Sequence, residues 1–445
     1  MKAQQNNSRS LWMIVLAVFV GLNSCTIEEQ VDLNAPSVDG IEANATISEL
    51  NNLVAGILHG QRNDLDIYLD DHAIIGRDFY RFSSADPRFT ADIPGAGSAV
   101  LDNNTFYITR PWAAGYQVIR NAWVLRHAVA NTSAPINDEQ KRGYLGFAKT
   151  MQALQMLWLS NLTYDNPDGC IRVDVEDPDN LGPLVSYDEA LDFIAALLDE
   201  AYDDLNNAGN SFLFPLSTGF ASFNTPATFG QFNRALRARV AAYQQDWNEV
   251  LNSLAVSFLN PSGSLTLGAY VAFSTASGDR PNSMYISLPN LPSNARVAVN
   301  SWVADAEPGD LRLNKVAPRS EPAVSGQFSS NYDVALWSSL DDDIAIIRNE
   351  ELILLSAEAK IHLGDLSGAI ADLNIIRVAA GLAPYSGPSD PESLINEMLK
   401  QRRYSLFGEG HRWVDMRRYN RLDQIQTDNP DEDVWRYFPI PASEG

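Results

Sequence analysis

Two stretches of this chain can be laid over one another at a constant offset of 119 positions, and they restrict its fold more than any other feature. They are "TFGQFNRALRARVAAYQQDWNEVLNSLAVSF" (228–258) and "NEELILLSAEAKIHLGDLSGAIADLNIIRVAAG" (349–381). Ala238 then falls on Ala357, Asp246 on Asp365, Leu251 on Ile370 and Leu254 on Leu373. In both, apolar residues recur at helical spacing on either side of a short break, so each stretch reads as two helices joined by a tight bend. Small residues one turn before the bend let the helices approach, and apolar ones after it close the pair. Ala357, Gly364 and Ala369 occupy the small helix-A, turn and small helix-B positions of a tetratricopeptide repeat. An ordinary αα-hairpin shows a similar pattern; either way the expectation is a mostly α fold of tetratricopeptide-like helical hairpins.

Other helices are marked by their starts. "TISELNNLVAGILHG" offers Thr46 as N-cap and Glu49 three residues on, which is the capping-box spacing. Helical periodicity continues over Trp112–Asn131, over Asp138–Leu162 after Asn137, and over Tyr187–Asn207 after Ser186. A further helix begins near Ser389-Asp390-Pro391 and is broken by Gly408 and Gly410, with a new turn from Trp413. Two long regions lose the helical period. From about Asp64 to Arg110 the chain fills with Asp, Gly, Pro and Ser and is expected to be an irregular connection carrying exposed aromatics. From Pro261 to Asp343 it turns loop-like and strand-like. Function commonly sits in such insertions, presented by a rigid frame.

The first residues carry Lys2 and Arg9, no acid before position 25, and an apolar run from Leu11 to Leu22. That run is shorter than the roughly 20 residues a spanning helix needs and fits a secretory signal peptide over residues 1–24. Leu22-Asn23-Ser24-Cys25 resembles the lipobox of bacterial lipoproteins, which implies that Cys25 is the lipidated first residue of the mature chain; the alternative is an ordinary signal peptide with an incidental cysteine. One acyl chain binds a membrane marginally and two or more hold it, at about 0.8 kcal/mol per buried methylene. Glu28 and Glu29 follow closely, like the acidic tag that sends some lipoproteins to the outer face of the outer membrane. Cys170 then has no partner within the chain and reads as a small buried hydrophobe.

Loss of Lys2 and Arg9 with the leader takes the formal charge from −24 to −26, which argues against nucleic acid as a partner. The five histidines (His59, His72, His127, His362, His411) are scattered, with no zinc-site spacing. Asp70-Asp71 and Asp341-Asp342-Asp343 have calcium-ligand chemistry but read as solvated loop. The chain is expected to have no catalytic residues, no metal and no cofactor. With 56 acids, a glycosidase-like carboxylate pair could arise by chance and is no argument for hydrolysis.

"QRRYSLFGEGHRWVDMRRYNRL" packs six arginines and two acids into one bend. From the residues alone, Glu409 and Asp415 should lock that bend by pairing with Arg402, Arg412 or Arg417. The segment resembles the C-terminal hallmark of the SusD/RagB outer-membrane lipoproteins, a basic helix leading to "EG-x-R" and an Asp-hydrophobe-x-Arg step, at Glu409, Gly410, Arg412, Asp415 and Arg418. "AEA" followed by "LN-x-x-R-x-x-AGL" (Glu358, Asn374, Arg377, Gly381), "FPIPASE" and "VDLNAPS" are similar to other family segments. The resemblance implies a SusD-like α-α superhelix over residues 25–445. In it, 25–345 would form a helical part with binding loops and 346–445 the hallmark region. It further implies a non-catalytic lipoprotein, anchored in the outer membrane and facing outward, that passes nutrient to a SusC-like TonB-dependent transporter. Oligosaccharide is the first expected ligand and peptide the second, with the negative surface favouring basic peptides; a surface glycoside hydrolase is the rival. Residues Glu358, Arg377, Arg402, Glu409, Arg412 and Asp415 are expected to be architectural.

Sugar capture needs flat aromatic faces and planar polar groups. The first insertion offers Tyr80, Arg81, Phe82 and Arg88, and the second offers Tyr285, Trp302, Arg312, Tyr332 and Trp337. These are the ligand-binding candidates.

Overall fold

Helix starts in this protein are fixed by side-chain caps at the positions the sequence marks. The computed structural model describes residues 38–177 and 180–444, so Cys25 and the expected leader lie outside the described residues. Helices α1 (Val38–Asn44), α2 (Ile47–Gly60) and α3 (Leu65–Gly76) precede strand β1 (Phe79–Ser83). The long helices α4 (Phe106–Asn131), α5 (Asp138–Thr163) and α6 (Tyr187–Asn206) follow, with the short strands β2 (Ile171–Arg172) and β3 (Leu184–Val185) between the last two. Next come α7 (Pro226–Tyr243), α8 (Trp247–Ala255), β4 (Gly268–Val271), β5 (Asn294–Ala298) and α9 (Asn300–Ala304). Strands β6 (Val316–Ser325), β7 (Phe328–Val334) and β8 (Ile344–Arg348) lead to α10 (Asn349–His362), α11 (Leu366–Ala379), α12 (Pro391–Ser405) and α13 (Arg412–Arg418).

Thr46 with Glu49, Asn137 with Gln140 and Ser186 with Glu189 all close reciprocal capping boxes. Each satisfies two otherwise orphaned N–H groups, at about 1 kcal/mol per cap. The helices then stack in chain order, α4 on α5, α5 on α6, α6 on α7 and α7 on α8, while α10 packs on α8, α11 and α12. The 119-residue offset is a structural repeat. Asp246 and Asp365 both cap their helices from the same backbone region (φ −87°, ψ 83° and φ −83°, ψ 69°). The residue just before each is left-handed, Gln245 at φ 60° and Gly364 at φ 83°. Ala238 and Ala357 are both fully buried before the bend, as are Leu254 and Leu373 after it. Among the described residues no helix is long and apolar enough to cross a membrane.

The two non-helical regions are one unit. Their strands form a four-stranded antiparallel sheet in the order β1-β5-β7-β6, with Phe79 opposite Ala298 and Arg81 opposite Arg296. The first region corrects the sequence expectation. Its opening is helix α3, in which every residue but Asp66 is buried, and its aromatics Phe79, Tyr80 and Phe82 are core. A helix buried on all sides carries no amphipathic stripe, so it leaves no period to read. Helix α4 starts at Phe106 rather than at the expected Trp112, with Pro111 inside it. Cys170 is buried as expected, and burial pushes its thiol up to about 11.

Candidate functional site

The first turns of α4 and the buried helix α3 together shape a groove. One cavity of about 850 Å³ runs along Asn63 and Asp64 before α3, Thr109, Arg110 and Gln117 on α4, and Arg280 on the loop after β4. A second, of about 470 Å³, is lined by Arg81, Asp86, Arg88, Phe89, Phe106 and Tyr285, with Arg296 and Asp70 beneath. The two share Asp66, Arg110 and Ser283, so they adjoin as a single groove of a size that holds a short oligomer.

Its floor is an ion pair that joins the two insertions. Arg296 on β5 grips Asp70 on α3 through two hydrogen bonds, Nε–Oδ1 2.7 Å and Nη2–Oδ2 2.8 Å, with both side chains buried. The other guanidinium nitrogen, Nη1, donates to the carbonyls of Ser283 and Met284, at 2.9 Å each. That holds the loop carrying Tyr285 against the helix. Arg81, opposite Arg296 in the sheet, lies 3.8 Å from the same carboxylate and donates to the side chain of Asn294 at 2.6 Å. Burial pulls the Arg81 guanidinium below its ordinary pKa; Asp70 opposes the shift and Arg296 adds to it. Asn290 staples the rest of the loop, its N–H to Asp333 at 3.0 Å and its side-chain amide to the Ile286 and Ser287 carbonyls.

The wall is a pair of rings flanked by two cations. Arg81 lies over Phe89 at 5.8 Å, Phe89 meets Phe106 at 4.9 Å, and Arg88 lies over Phe106 at 5.0 Å. Asp86 holds Arg88 by a fork of 2.9 and 2.6 Å, which fixes the guanidinium plane. The half-buried rings of Phe89, Phe106 and Tyr285 give apolar faces beside planar donors. This is the chemistry that sugar rings or planar peptide groups can use.

The structure divides the nine ligand-binding candidates. Arg81, Arg88 and Tyr285 meet in the groove. Tyr80 and Phe82 do not, because they alternate with Arg81 along β1 and point into the core, where neither is exposed. Trp302 is likewise wholly buried, against Tyr404 at 5.1 Å and Phe407 at 4.4 Å. Arg312 is buried and committed to Asp310 and the Ser405 hydroxyl. With the nearly buried Trp337 it lines a separate cavity of about 600 Å³. There Lys315, its ammonium lowered to about 8 by burial, donates to the carbonyls that end α12. Tyr332 is half-buried on β7 and lines none of these cavities. Sequence reading missed Phe89, Phe106, Arg110 and Arg280.

The C-terminal charges form a different construction. Arg402 donates to Asp415 at 2.7 Å, Arg418 to Asp415 at 2.9 Å and to Glu358 at 2.8 Å, and the Tyr419 hydroxyl to Glu358 at 2.8 Å. Three sequence expectations change. Glu409 pairs with Arg348 at 2.7 Å rather than with an arginine of its own segment. Arg417 forms no ion pair among the described residues; it stacks over Trp413 at 3.7 Å and donates to the carbonyls of Asn161 and Arg436. Arg412 also lacks a salt bridge among the described residues, and burial lowers it to about 10. Arg377 binds Glu307 and Glu397. Asp70 and Asp71, expected as solvated loop, are buried in α3. Both Asp71 oxygens lack a hydrogen-bond partner, and burial, then Asp70, raises its carboxyl well above the usual range. Among the described residues no group of three or more His, Cys, Asp or Glu side chains is placed to hold a metal ion.

Residues 329–444 match the SusD family (SusD_RagB). The chain is 30% identical over 148 residues to SusD-like protein P38 of Formosa agariphila, an alignment that spans 31% of this chain and 29% of that protein. Less than a third of that relative's length is therefore matched. In fold the chain is similar to surface glycan-binding protein A from Bacteroides thetaiotaomicron, with a TM-score of 0.70 and 13% identity over 90% of this chain and 96% of the other. The corresponding protein from Bacteroides uniformis gives 0.69 and 14% over 89% and 97%. A laminarin-binding SusD-like protein gives 0.66 and 18% over 89% and 96%. At these identities the structural likeness is one of fold.

Proposed function

We propose that this chain, which belongs to the SusD/RagB family, binds oligosaccharide at the outer-membrane surface and delivers it to a partner SusC-like TonB-dependent transporter. The observation that carries the reading is the groove under the sheet that joins the two insertions. It sets the rings of Phe89, Phe106 and Tyr285 beside the guanidinium planes of Arg81 and Arg88, over a floor pinned by Asp70 and Arg296. Rings stack on the apolar faces of pyranoses, and fixed guanidinium groups donate to hydroxyl pairs without first having to be ordered. The protein's part is binding and transfer, not bond cleavage. On this reading the mature chain starts at a lipidated Cys25, whose acyl chains hold the groove outside the cell near the transporter.

The test is binding of the purified mature chain to a glycan array, followed by calorimetry on the strongest hit with the parent and with Phe106→Ala. Saturable binding that the substitution weakens at least tenfold supports the reading. Silence on every glycan, with peptides retained instead, moves the ligand to peptide. Steady release of shortened sugars makes the protein a hydrolase. Mass spectrometry of the membrane-extracted protein tests the anchor, and the expected result is an acylated Cys25 that co-purifies with a large β-barrel.

A further inference from the structure

The charge of the groove reverses the charge of the chain. Overall the sequence carries 56 acids against 32 basic residues. The groove is lined by the arginines Arg81, Arg88, Arg110, Arg280 and Arg296 and by the acids Asp64, Asp66, Asp70 and Asp86, with no glutamate and no lysine. Four of these nine charges are tied in two exposed pairs, and in both the cation is the open partner. The Arg110 side chain is 58% exposed and Asp64 22%; the Arg88 side chain is 40% exposed and Asp86 21%. On the floor, Arg296 and Arg81 share the carboxylate of Asp70 and Asp66 acts on both, so the excess of cation in the groove lies with Arg280 and the open edges of Arg110 and Arg88. Arg280 is exposed at the other end of the groove. Its guanidinium donates to the Arg62 carbonyl at 3.3 Å and pairs with no carboxylate among the described residues. Asp66 is the one acid in the groove without a salt bridge, and it is half-buried.

Resting on the glycan-binding reading above, we infer that this groove selects oligosaccharides bearing acidic substituents, carboxylate or sulfate, over neutral ones. A neutral sugar needs donors and acceptors in similar number, and from guanidinium groups turned outward past their counter-ions it gains hydrogen bonds without the added attraction of opposite charges. An acidic substituent gains a charge-assisted, planar hydrogen bond from Arg280 or from the open edge of Arg110 or Arg88. The strongly acidic exterior opposes approach of any anion, but its exposed charges are screened beyond about 8 Å at physiological salt, so contacts within the groove decide the outcome. Local charge also reverses the expectation from net charge, which pointed to basic ligands.

The experiment uses the mature chain on an array holding neutral, uronate-bearing and sulfated oligosaccharides of matched length, then calorimetry with the parent, Arg280→Gln and Arg110→Gln. Signals should come from the acidic sugars. Each substitution should weaken an acidic ligand about tenfold, the size of one charged hydrogen bond, and weaken any neutral ligand clearly less. Arg280 and Arg110 are exposed, so both variants should keep the parent's melting temperature. The uronate and sulfate arms separate the two sources of charge; either alone supports the inference. Signals confined to neutral sugars, or an acidic ligand indifferent to both substitutions, overturn it while leaving the glycan reading intact. Silence across the whole array overturns both.

Discussion

Arg402 in α12 and Arg280 in the groove carry the same guanidinium and meet opposite surroundings. Arg402 is buried, and Asp415, itself shared with Arg418, holds it at 2.7 Å; Glu358 and the Tyr419 hydroxyl complete the set. Arg280 is exposed and holds only a backbone carbonyl. In the first region the cations are buried, whether paired with a carboxylate or, like Arg417, held by a ring and backbone carbonyls, so nothing is left to offer a ligand. In the second, the counter-ions are set deeper than the cations. The comparison teaches that arginine density alone does not mark a binding site. The deciding quantity is whether the guanidiniums are closed off from solvent.

Breaking the closed region should have the larger effect on the fold. Removing one member of a buried pair leaves the other charged and unsolvated, at about 3–5 kcal/mol. Arg402→Met strands Asp415 beside only Arg418, and a loss of that order is expected in denaturant unfolding of the mature chain. Burial opposes the Asp415 charge, while Arg402 and then Arg418 favour it, and the net pKa is lowered. A carboxyl lowered on folding adds stability that is present above its unfolded pKa and fades as pH falls through the folded one. The Arg402→Met deficit should accordingly shrink below about pH 4, where the unfolded carboxyl also takes up its proton. A deficit unchanged between pH 7 and pH 3 would mean that lost packing, not charge, explains it.

Asp70 tests the boundary between the two regions, since it is as buried as Asp415 yet lies under the groove. Asp70→Asn leaves Arg296 with its two loop carbonyls, so the expected loss is about 2–3 kcal/mol, less than a full stranding. Unlike the Arg402 substitution, it should also loosen the loop that carries Tyr285. Glycan affinity should fall under conditions where the variant is still fully folded, whereas Arg402→Met should leave the affinity of its folded fraction unchanged. Equal affinity losses in the two variants would erase the distinction.

These regions were also unequally legible in the sequence. The closed one is spelled out in a short segment, and its resemblance to a known hallmark could be read directly, although Glu409 reached back 61 positions to Arg348 for its partner. Caps and the 119-residue repeat were legible because each depends on residues three or four apart. The groove was not. Its floor joins Asp70 to Arg296 across 226 positions, its sheet joins two insertions, and its helix α3 lacks an exposed face. Pairings of that range leave no periodicity. Type of residue pointed correctly to Arg81, Arg88 and Tyr285, but strand alternation, with its strand start unknown, could not separate Arg81 from Tyr80 and Phe82.

Asp71 gives an effect of opposite sign. Its carboxyl, raised by burial and then by Asp70, takes up a proton on folding. Such a group favours the folded state most at a pH below its unfolded value near 4, and that contribution is lost as pH rises toward the folded pKa. Asp71→Asn removes the titration, so the variant should melt above the parent at pH 8, and the gap should close as the pH approaches 4. A variant that melts lower at both pH values would mean that Asp71 has a partner worth more than its protonation costs.

The smallest effect bears on the repeat. Asp246 and Asp365 stand 119 positions apart, with matching backbone angles and a hydrogen bond to the N–H three residues on, 3.0 Å in both. An N-cap lost to alanine costs about 1 kcal/mol. If the two hairpins are the same unit, Asp246→Ala and Asp365→Ala should each lose that amount and the double variant their sum, because the caps share no partner. Neither should change glycan affinity, since both bends lie outside the groove lining. A loss confined to one hairpin would show that the offset is a coincidence of pattern, with the cap carrying load in only one of the two places.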